Sequence, residues 1–491
     1  MLRSAGTSKS KHLLCLWGIF FAYFSLNAFT QFSVSQTVNL DQAEQLILSQ
    51  SFQFGYGAQP PLYTYIVNTI FSLTGPGLAP LLGLKVLLLS LLVGSLIALG
   101  AQMNFTIRQH LIVVAGLVFI PQLIWESQRD LTHSVLATTI AAATLLQVVR
   151  TQRNKMTKDY IALGLLMGLG LISKYNYSIF LAALIFAVLI VPQYRLALSN
   201  RRAFMALFVA LIIAAPHIAW AVCNYEIVAS SIYKLKIGTG NLFSGLSHAA
   251  VSAIAFITPL WIFAIIPISS TSKFNVMQVA KTNDGKFLIS LLAATIIIVT
   301  VFVIITGAQQ VNDRWYQPLL FHVPVTVALF AIPTRSKSTA WYVGLGVAFA
   351  IAVSIALPVR TIFAEKFNRY IQPNMPYPIL MKTISDASDS PAFILAETNL
   401  LGGNSRLFFK KSQIHVPTYL INLGPTSSNG IIMCETPDCE NKMFKDWLRR
   451  NYAIDTRSLV FYKIERSYLY APSQRLVIYW SKVHLSAPGK L

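Results

Sequence analysis

Charged residues are scarce in this chain. Only 12% of the 491 residues are charged and 55% are hydrophobic, whereas a soluble protein has about a quarter of its residues charged. This composition excludes an ordinary soluble globular protein. Backbone polar groups in hydrocarbon must be hydrogen-bonded internally, and the apolar runs of about 15–25 residues show no two-residue alternation. The sequence therefore predicts an α-helical, polytopic membrane protein.

Cysteines and nucleotide-binding motifs are also few. Four cysteines do not make a disulfide scaffold, and no Walker loop or dinucleotide-binding glycine pattern occurs. Cys434 and Cys439 stand five residues apart around a proline turn. In an oxidising compartment this spacing permits a local disulfide, and a metal site is less favoured because no nearby histidine completes a tetrahedral ligand set.

Eleven apolar segments are candidates for membrane spans. Residues 160–191 form one long apolar stretch that is interrupted only by the polar residues 173–176. This stretch could be a single tilted helix. Lys and Arg clusters at both of its ends favour a hairpin of two short spans instead. The predicted spans lie near Leu13–Gln31, Ala79–Gln102, Leu111–Trp125, Leu131–Val149, Tyr160–Ile172, Tyr177–Val191, Ala203–Val222, Ala249–Ile268, Phe287–Thr306, Trp315–Ile332 and Thr339–Phe363.

The basic residues between these spans are distributed unevenly. If the N-terminus is cytoplasmic, most Lys and Arg residues fall in inner segments, which is the positive-inside pattern. This predicts a multi-pass protein of the inner (plasma) membrane with its C-terminal part in the periplasm or outside the cell. Most acidic residues before residue 364 fall in outer segments, either as solvated loops or as an outward-facing carboxylate site. The short outer segments hold only Arg129, Lys174, Lys234, Lys236 and Arg314.

The chain divides into a transmembrane region, residues 1–363, and a tail, residues 364–491. Within the first region, residues 32–78 contain no Lys or Arg and form a large outer loop with surface helices at Leu40–Ser51 and Leu62–Leu73. The tail has the charge content of a soluble domain, and we expect it to form a small extracytoplasmic α/β domain. Its predicted strands are Ala392–Ala396, Ser458–Tyr462 and Arg475–Trp480, and its predicted helices are near Glu440–Asn451 and Asn399–Phe409.

Several motifs on the outer side resemble the GT-C superfamily of glycosyltransferases. The resemblance is to enzymes that use polyprenyl-phosphate sugars, namely protein O-mannosyltransferases, aminoarabinose transferases and galacturonosyltransferases. The chain shares an acidic residue early in the first outer loop, then a Gly/aromatic turn before Pro-Pro-Leu, and a Ser-Lys-Tyr segment after a Gly-Leu-rich span. These motifs are Asp41, Gly55-Tyr56-Gly57, Pro60-Pro61-Leu62 and Ser173-Lys174-Tyr175, with weaker matches at Asp130 and at Arg314-Trp315-Tyr316-Gln317-Pro318.

This resemblance implies a GT-C-like fold and the transfer of a sugar from a polyprenyl-phosphate carrier to an envelope glycolipid or polysaccharide such as lipopolysaccharide. The absence of a nucleotide-binding motif agrees with a lipid-linked donor. Asp41 is implied as the general base, a role that typically supplies 10²–10⁴-fold in rate. A single displacement needs no nucleophilic carboxylate, so we expect inversion at the anomeric carbon. The alternative reading of Asp41 is that it caps the N-terminus of the surface helix.

The leaving group would be a lipid phosphate, so cations are expected at the outer end of the spans. Lys174, Lys85 and Arg314 are the candidates. The alternatives are that Lys85 snorkels to the interface and that Lys174 and Arg314 only solubilise their loops. Asp130 is a second catalytic candidate that orients Lys174 or the acceptor, unless it merely pairs with Arg129. Substrate-cavity candidates are Tyr56, Gln59 and Tyr175.

The chain departs from the family pattern in two places. Gln42 stands where a second acidic residue is common, and Ala58-Gln59 stand where an acidic and then a basic residue are usual before Pro-Pro. An inactive homologue is therefore one alternative, and a transporter or flippase of a lipid-linked glycan is another. No metal-ligand set or nucleic-acid partner is predicted, a divalent cation stays an open question, and the expected partners are the lipid-linked donor, the acceptor and membrane lipids.

Overall fold

The computed structural model describes residues 2–233, 235–238, 241–269, 273–331, 336–419 and 428–485, so Lys234 and Ile332 lie outside the described residues. The chain forms two compact units. The first unit consists of Met1–Leu26, Gly57–Tyr63 and Lys85–Ser354, and the second of Asn27–Tyr56, Thr64–Leu84 and Ile355–Leu491.

Helices make up nearly all of the described residues before residue 363. Each predicted span coincides with a helix or with a group of short helices. The α-helices are Leu2–Val34, Leu40–Leu48, Leu62–Thr74, Leu78–Gln102, Ile107–Val118, Ser127–Arg129, Thr132–Asn154, Thr157–Leu171, Tyr177–Ile190, Pro192–Leu198, Arg201–Cys223, Tyr225–Tyr233, Leu242–Ile257, Leu260–Phe263, Ile265–Ser269, Lys273–Lys281, Asn283–Thr306, Gln317–Leu320, Val323–Phe330 and Ser336–Ile362, with a π-helix at Gln122–Glu126 and a 3₁₀ helix at Asp313–Tyr316.

Among the described residues, six helices are long and apolar enough to cross a membrane, or nine if each of three bent helix pairs crosses once. A hydrocarbon core of about 30 Å requires about 20 apolar residues in a helix. The protein is therefore a multi-pass membrane protein, as predicted. The number of about eleven spans remains a prediction. Helix Thr157–Leu171 and the broken helical segment at 317–330 are both too short to be counted as membrane-crossing helices by length alone.

The predicted hairpin at residues 160–191 is confirmed. Helices Thr157–Leu171 and Tyr177–Ile190 are separated by a turn. The Tyr160 hydroxyl, near the start of the first helix, donates a hydrogen bond to the carbonyl of Ala197, which follows the second helix (2.5 Å). A single tilted helix would place these residues at opposite ends, so the chain returns to the side on which it began.

Segments predicted to lie on the same side of the membrane contact each other within the first unit. At the predicted inner end, Arg153 forms an ion pair of 3.0 Å with Asp284, 131 residues away. At the predicted outer end, the Asn176 amide donates to the Trp315 carbonyl (2.8 Å). The grouping of the loops thus agrees with the charge pattern. Which end faces the cytoplasm remains a prediction.

Helices Thr157–Leu171 and Arg201–Cys223 pack closely through small residues. A Cβ atom added to Gly164 would lie 2.4 Å from the Ala206 carbonyl oxygen, and one added to Gly168 would lie 3.0 Å from the Ala210 carbonyl oxygen. Small residues spaced by four on both helices allow the backbones to approach. Such close packing commonly stabilises helix association in membranes, because lipid tails are as apolar as the helices and the hydrophobic effect contributes little there.

We expect Gly164→Leu to destabilise the membrane region by at least about 1–3 kcal/mol, the usual cost of overpacking, because the backbone of Ala206 cannot yield as a side chain does. The measurement is the thermal stability of the purified protein in detergent. Gly344→Leu is the matched control, since a Cβ at Gly344 meets no atom within 4 Å. Equal stability of both variants would contradict the packing described here.

The described residues of the tail form a five-stranded sheet. Its strands are β1 (Phe393–Ala396), β2 (Gln413–His415), β3 (Ser428–Cys434), β4 (Tyr462–Tyr468) and β5 (Ala471–Leu485), in the order β2-β1-β3-β5-β4. β1 is parallel to β2 and β3, and β5 is antiparallel to β3 and β4. The α-helices are Tyr377–Asp386, Asn399–Phe408 and Lys442–Tyr452, with 3₁₀ helices at Gln372–Asn374, Pro437–Cys439 and Thr456–Ser458.

Helices cover both faces of this sheet. Ile394 and Met433 point into a core with helices Tyr377–Asp386 and Asn399–Phe408, whereas Leu395 and Ile432 point into a second core with helix Lys442–Tyr452. Strands buried on both faces are typical of parallel sheets. The predicted α/β fold, both predicted helices and the strands around residues 393–396 and 475–480 are confirmed.

Two features of the tail differ from or extend the predictions. The predicted strand Ser458–Tyr462 is wrong, because a 3₁₀ helix occupies Thr456–Ser458 and strand β4 begins only at Tyr462. The Asp455 side chain accepts from the Arg457 amide and starts that turn. Cys434 and Cys439 are joined by a disulfide, a pairing that their spacing permits and that the sequence alone leaves open.

The first loop belongs to the same compact unit as the sheet. Helix Leu40–Leu48 packs on helix Asn399–Phe408, where a Cβ at Gly403 would lie 2.3 Å from Ala43 Cα. The Asn404 side chain accepts from the Val38 amide at 3.0 Å. The loop is therefore held by the sheet domain, and the predicted division at residue 363 stays a prediction.

Candidate functional site

Two of the separated motifs are joined directly in the first unit. The Leu62 amide, at the end of Pro60-Pro61-Leu62, donates to the carbonyl of Ile172 (3.0 Å), which precedes Ser173-Lys174-Tyr175. The next residue, Tyr63, packs its ring against His133 with 5.4 Å between the centroids. The Pro-Pro-Leu segment thus lies between the Lys174 turn and the start of helix Thr132–Asn154.

Lys174 reaches the first turn of that same helix. Its Nζ atom donates to the Ser134 hydroxyl at 2.5 Å, and the side chain is half-buried. A lysine that only solubilised its loop would point into water. The half-buried position and the defined partner favour a binding role for this ammonium group.

Lys85 is a buried cation at the same end of the bundle. Its relative exposure is 5%, and Nζ lies 3.4 Å from the Gln128 carbonyl oxygen and 3.3 Å from the Asp130 carbonyl oxygen. The ammonium group is therefore held by protein atoms, which does not fit the snorkelling alternative. Charges inside a membrane region usually face the interior of the helix bundle and mark functional sites.

Asp130 stands at a sharp change in backbone direction. The following residue, Leu131, has φ = +66°, an unusual left-handed conformation for a bulky residue, and helix Thr132–Asn154 starts immediately after it. Such strained residues cluster at functional sites. The alternative partner, Arg129, forms an ion pair of 2.7 Å with Glu126. The Asp130 carbonyl oxygen lies 3.3 Å from Lys85 Nζ, which places Asp130 beside that lysine.

The Arg314 segment also meets the Lys174 turn, but through its backbone. The Trp315 carbonyl accepts from Asn176 (2.8 Å), Gln317 donates to Ser127 (2.7 Å), and Gln122 donates to Asp313 (2.5 Å). The Arg314 side chain itself is exposed. The structure therefore brings together the backbone of all three motifs, whereas the Arg314 guanidinium lies at the solvent-exposed edge.

We call Lys85, Asp130, Ser134, Lys174 and Asn176 the outer polar cluster. Around it, several buried side-chain atoms have no hydrogen-bond partner among the described residues. An unpaired buried polar group costs about 1–3 kcal/mol, so the surroundings of the cluster favour a polar ligand or water. These atoms are Gln122 Oε1, Gln128 Oε1, Thr132 Oγ1, Asn176 Oδ1 and Gln317 Oε1.

The two cavity candidates in the first unit are placed differently. Gln59 is half-buried directly before Pro60-Pro61, in the segment that Leu62 fastens to Ile172. The Tyr175 hydroxyl lies 3.3 Å from His217 Nε2, and the two rings stack with 6.0 Å between their centroids. Tyr175 therefore packs on helix Arg201–Cys223, while Gln59 lies next to the joined motifs.

Asp41 belongs to the second unit and does not cap its helix. The N-cap of helix Leu40–Leu48 is Asn39, whose side chain accepts from the Gln42 amide (3.0 Å), while the Gln42 side chain accepts from the Asn39 amide (3.1 Å). The capping alternative for Asp41 is therefore wrong. Gln42, which departs from the family pattern, completes this capping box. Asp41 is half-buried in the first turn, and its carboxylate is not used in capping.

A neighbour of Asp41 that the sequence did not indicate is Tyr419. Burial, the Glu44 carboxylate that its hydroxyl contacts, and the nearby charge of Asp41 together raise the pKa of Tyr419 above its ordinary value. Asp41 and Glu44 are three residues apart and lie on one side of the helix. The sequence separation between Glu44 and Tyr419 leaves no local pattern that could have predicted this contact.

Tyr56 stabilises its own loop in the second unit. Its hydroxyl donates to the Ser51 carbonyl (2.9 Å) and accepts from the Gln53 amide (3.2 Å), and its ring contacts Tyr65 at 6.1 Å. Burial raises the pKa of Tyr56. The side chain therefore stays a neutral phenol that orders residues 51–56. No group of three or more His, Cys, Asp or Glu that could hold a metal occurs among the described residues.

Comparison with known proteins identifies the enzyme class. Residues 58–220 match the family model described as dolichyl-phosphate-mannose-protein mannosyltransferase. Two relatives from Rhizobium johnstonii, named lipopolysaccharide core galacturonosyltransferases RgtA and RgtB, are 27% and 28% identical; each match covers 81% of this chain, and 81% and 82% of the relatives. The chain is a membrane glycosyltransferase.

Its fold is that of the GT-C enzymes. The crystal structure of ArnT from Cupriavidus metallidurans bound to undecaprenyl phosphate superimposes with a TM-score of 0.63 at 12% identity, covering 94% of this chain and 97% of ArnT. The resemblance and the GT-C-like fold predicted from the sequence are confirmed. The family model includes Gln59, Lys85, Asp130, Lys174 and Tyr175, and it begins after Asp41.

Proposed function

We propose that this glycosyltransferase moves a sugar from a polyprenyl-phosphate carrier to the lipopolysaccharide core, or a related envelope glycolipid, at the outer face of the inner membrane. The observation that supports this proposal most strongly is the outer polar cluster, where a buried and a half-buried lysine lie beside three motifs distant in sequence. The names of the two Rhizobium relatives support the acceptor, and the undecaprenyl phosphate bound to ArnT supports the donor class.

Lys174 and Lys85 are proposed to stabilise the leaving group. The bond between the anomeric carbon and the carrier phosphate oxygen breaks, and the carrier leaves as a phosphate monoester with one more negative charge. Cations fixed before the reaction act where this charge develops, and in a site shielded from water they act strongly. Lys174 is held by Ser134 and Lys85 by backbone carbonyls, so neither ammonium group must reorganise during the reaction.

Asp41 is proposed as the general base. The hydroxyl oxygen of the acceptor attacks the anomeric carbon, the new glycosidic bond forms, and the hydroxyl proton passes to the Asp41 carboxylate. The half-burial of Asp41 and its freedom from capping support this role. One displacement inverts the configuration at the anomeric carbon.

The outer location of the reaction is supported by two features. The positive-inside charge pattern predicts that the tail lies outside, and disulfides persist in oxidising compartments such as the periplasm. The Cys434–Cys439 disulfide lies in the unit that also carries Asp41. The proposed sugar is a galacturonosyl group or another hexuronic acid, on the basis of the names of the two relatives.

The experiment is a mass profile of the lipopolysaccharide core and other envelope glycolipids from a strain that makes the lipid-linked donor. Three cultures are compared: without the protein, with wild type, and with equally expressed Asp41→Asn. We expect one sugar mass that appears only with wild type, and its value and composition identify the sugar. If no glycolipid differs although the donor is present, the transporter and inactive-homologue alternatives replace the proposal.

Lys174→Gln is expected to lower the transfer rate by about 10²-fold, the typical cost of removing one fixed group that stabilises developing charge. The effect should fall mainly on kcat, measured with purified enzyme and saturating donor. Arg314→Gln serves as the comparison because this side chain is exposed. We expect the Arg314→Gln variant to retain most of the wild-type activity. If Arg314→Gln lost more activity than Lys174→Gln, the leaving-group role would be assigned to Arg314 instead.

A further inference from the structure

A polar cavity lies at the predicted inner end of the first unit, opposite the outer polar cluster. It has a volume of about 520 Å³ and lies where four helix ends meet: after Leu78–Gln102, at the end of Thr132–Asn154, after Tyr177–Ile190 and at the start of Asn283–Thr306. None of the motifs of the proposed sugar transfer contributes to it. Its lining residues are Asn104, Gln152, Arg153, Lys155, Gln193, Thr282, Asn283 and Asp284.

The charges of this cavity leave a net positive site. Asp284 is the acidic residue of the lining, and both of its oxygens are engaged: one in the 3.0 Å ion pair with Arg153, the other as acceptor from the Tyr194 hydroxyl at 2.9 Å. Lys155 is exposed at the cavity wall, and its ammonium group makes no hydrogen bond or ion pair with any described residue. The cavity therefore offers a free cation beside a neutralised carboxylate.

A largely buried amide in the wall is open to the cavity. Gln152 has a relative exposure of 7%, yet its side chain makes no hydrogen bond with any residue that the structure describes. Its amide atoms are not among the fully buried side-chain atoms that lack a partner, so the amide is accessible from the cavity. A ligand in the cavity can therefore reach this amide, and a phosphate oxygen is a suitable acceptor for the Gln152 amide and for Lys155.

We propose that this cavity binds the phosphate headgroup of an anionic phospholipid such as phosphatidylglycerol. Basic pockets between membrane helices at the cytoplasmic end recognise anionic headgroups in this way. The Asn and Gln amides of the lining can donate to the phosphate and accept from headgroup hydroxyls, which favours a phosphate bearing a polyol over a bare ion. The glycine-rich loop typical of nucleotide phosphate sites does not occur in the sequence.

The test is a lipid titration of the purified, delipidated full-length protein, followed by native mass spectrometry with phosphatidylglycerol, phosphatidylcholine or inorganic phosphate. We expect wild type to bind phosphatidylglycerol more tightly than phosphatidylcholine. Lys155→Gln should weaken phosphatidylglycerol binding about fivefold, the usual contribution of one lysine near an anionic lipid surface. Gln152→Leu, which changes no charge, should also weaken it.

The matched control is Lys158→Gln, which removes one positive charge from an exposed position outside the cavity. It should bind phosphatidylglycerol as wild type does. The proposal is overturned if Lys158→Gln weakens binding as much as Lys155→Gln, which would indicate general surface charge. It is also overturned if both cavity variants bind like wild type, or if inorganic phosphate competes fully at equal concentration.

Discussion

Asp41→Asn is expected to lower kcat for sugar transfer by about 10²–10⁴-fold, because the acceptor hydroxyl would lose its general base. The substitution preserves the shape of the side chain. The helix should stay intact, since Asn39 and Gln42 cap it without Asp41. The measurement is steady-state kinetics with a lipid-linked donor and purified core glycolipid, and we expect little change in the KM for the donor.

Glu44→Gln is the matched control for this prediction. Glu44 lies three residues further along the same helix and contacts the Tyr419 hydroxyl, so the substitution removes an equal charge from the same surface. We expect this variant to retain most of the activity. If the Glu44→Gln variant were inactive and the Asp41→Asn variant active, Glu44 and not Asp41 would be the general base.

The second large effect is expected from Gly403→Val. The added side chain would begin 2.3 Å from Ala43 Cα and force helix Leu40–Leu48 away from helix Asn399–Phe408. Asp41 would move with its helix, and a displacement of about 1 Å at a reacting group can cost 10²-fold in rate. We therefore expect at least that loss of activity, together with faster proteolysis within residues 27–56.

Gly83→Val provides the control for the same compact unit, because a Cβ at Gly83 meets no atom within 4 Å. It adds the same side chain to a helix without a collision and should behave like wild type. If Gly403→Val kept both full activity and wild-type proteolysis, the sheet domain would not be the element that positions Asp41.

Three members of the outer polar cluster could be predicted from the sequence, whereas Ser134 and Asn176 could not. Lys85, Asp130 and Lys174 each stand near the end of an apolar segment, and the charge pattern assigns those ends to one side. A shared side places these residues at one end of the bundle, and helix packing then decides which of them contact each other. The exposure of Arg314 could not be predicted, because it depends on how the 3₁₀ helix Asp313–Tyr316 turns before the next helix.

One further feature could be predicted from a local pattern, whereas contacts between distant segments could not. The spacing of Asn39 and Gln42 is a capping signal, and it favours Asn39 over Asp41 as the cap on sequence grounds alone. Strands β2 and β3 could not be predicted from the sequence, because they pair in parallel with β1 across long separations and show no alternation. The docking of helix Leu40–Leu48 on Gly403 likewise joins two segments that are far apart in the sequence.

The most direct test of the central claim is a reconstituted reaction. Purified wild-type protein is placed in liposomes with a polyprenyl-phosphate sugar and lipopolysaccharide core, and released polyprenyl phosphate and modified acceptor are both quantified. The account predicts that the two appear in equal amounts with wild type, and that both fall by about 10²–10⁴-fold with Asp41→Asn. Movement of intact donor across the bilayer, with no bond cleaved and no acceptor modified, would contradict it.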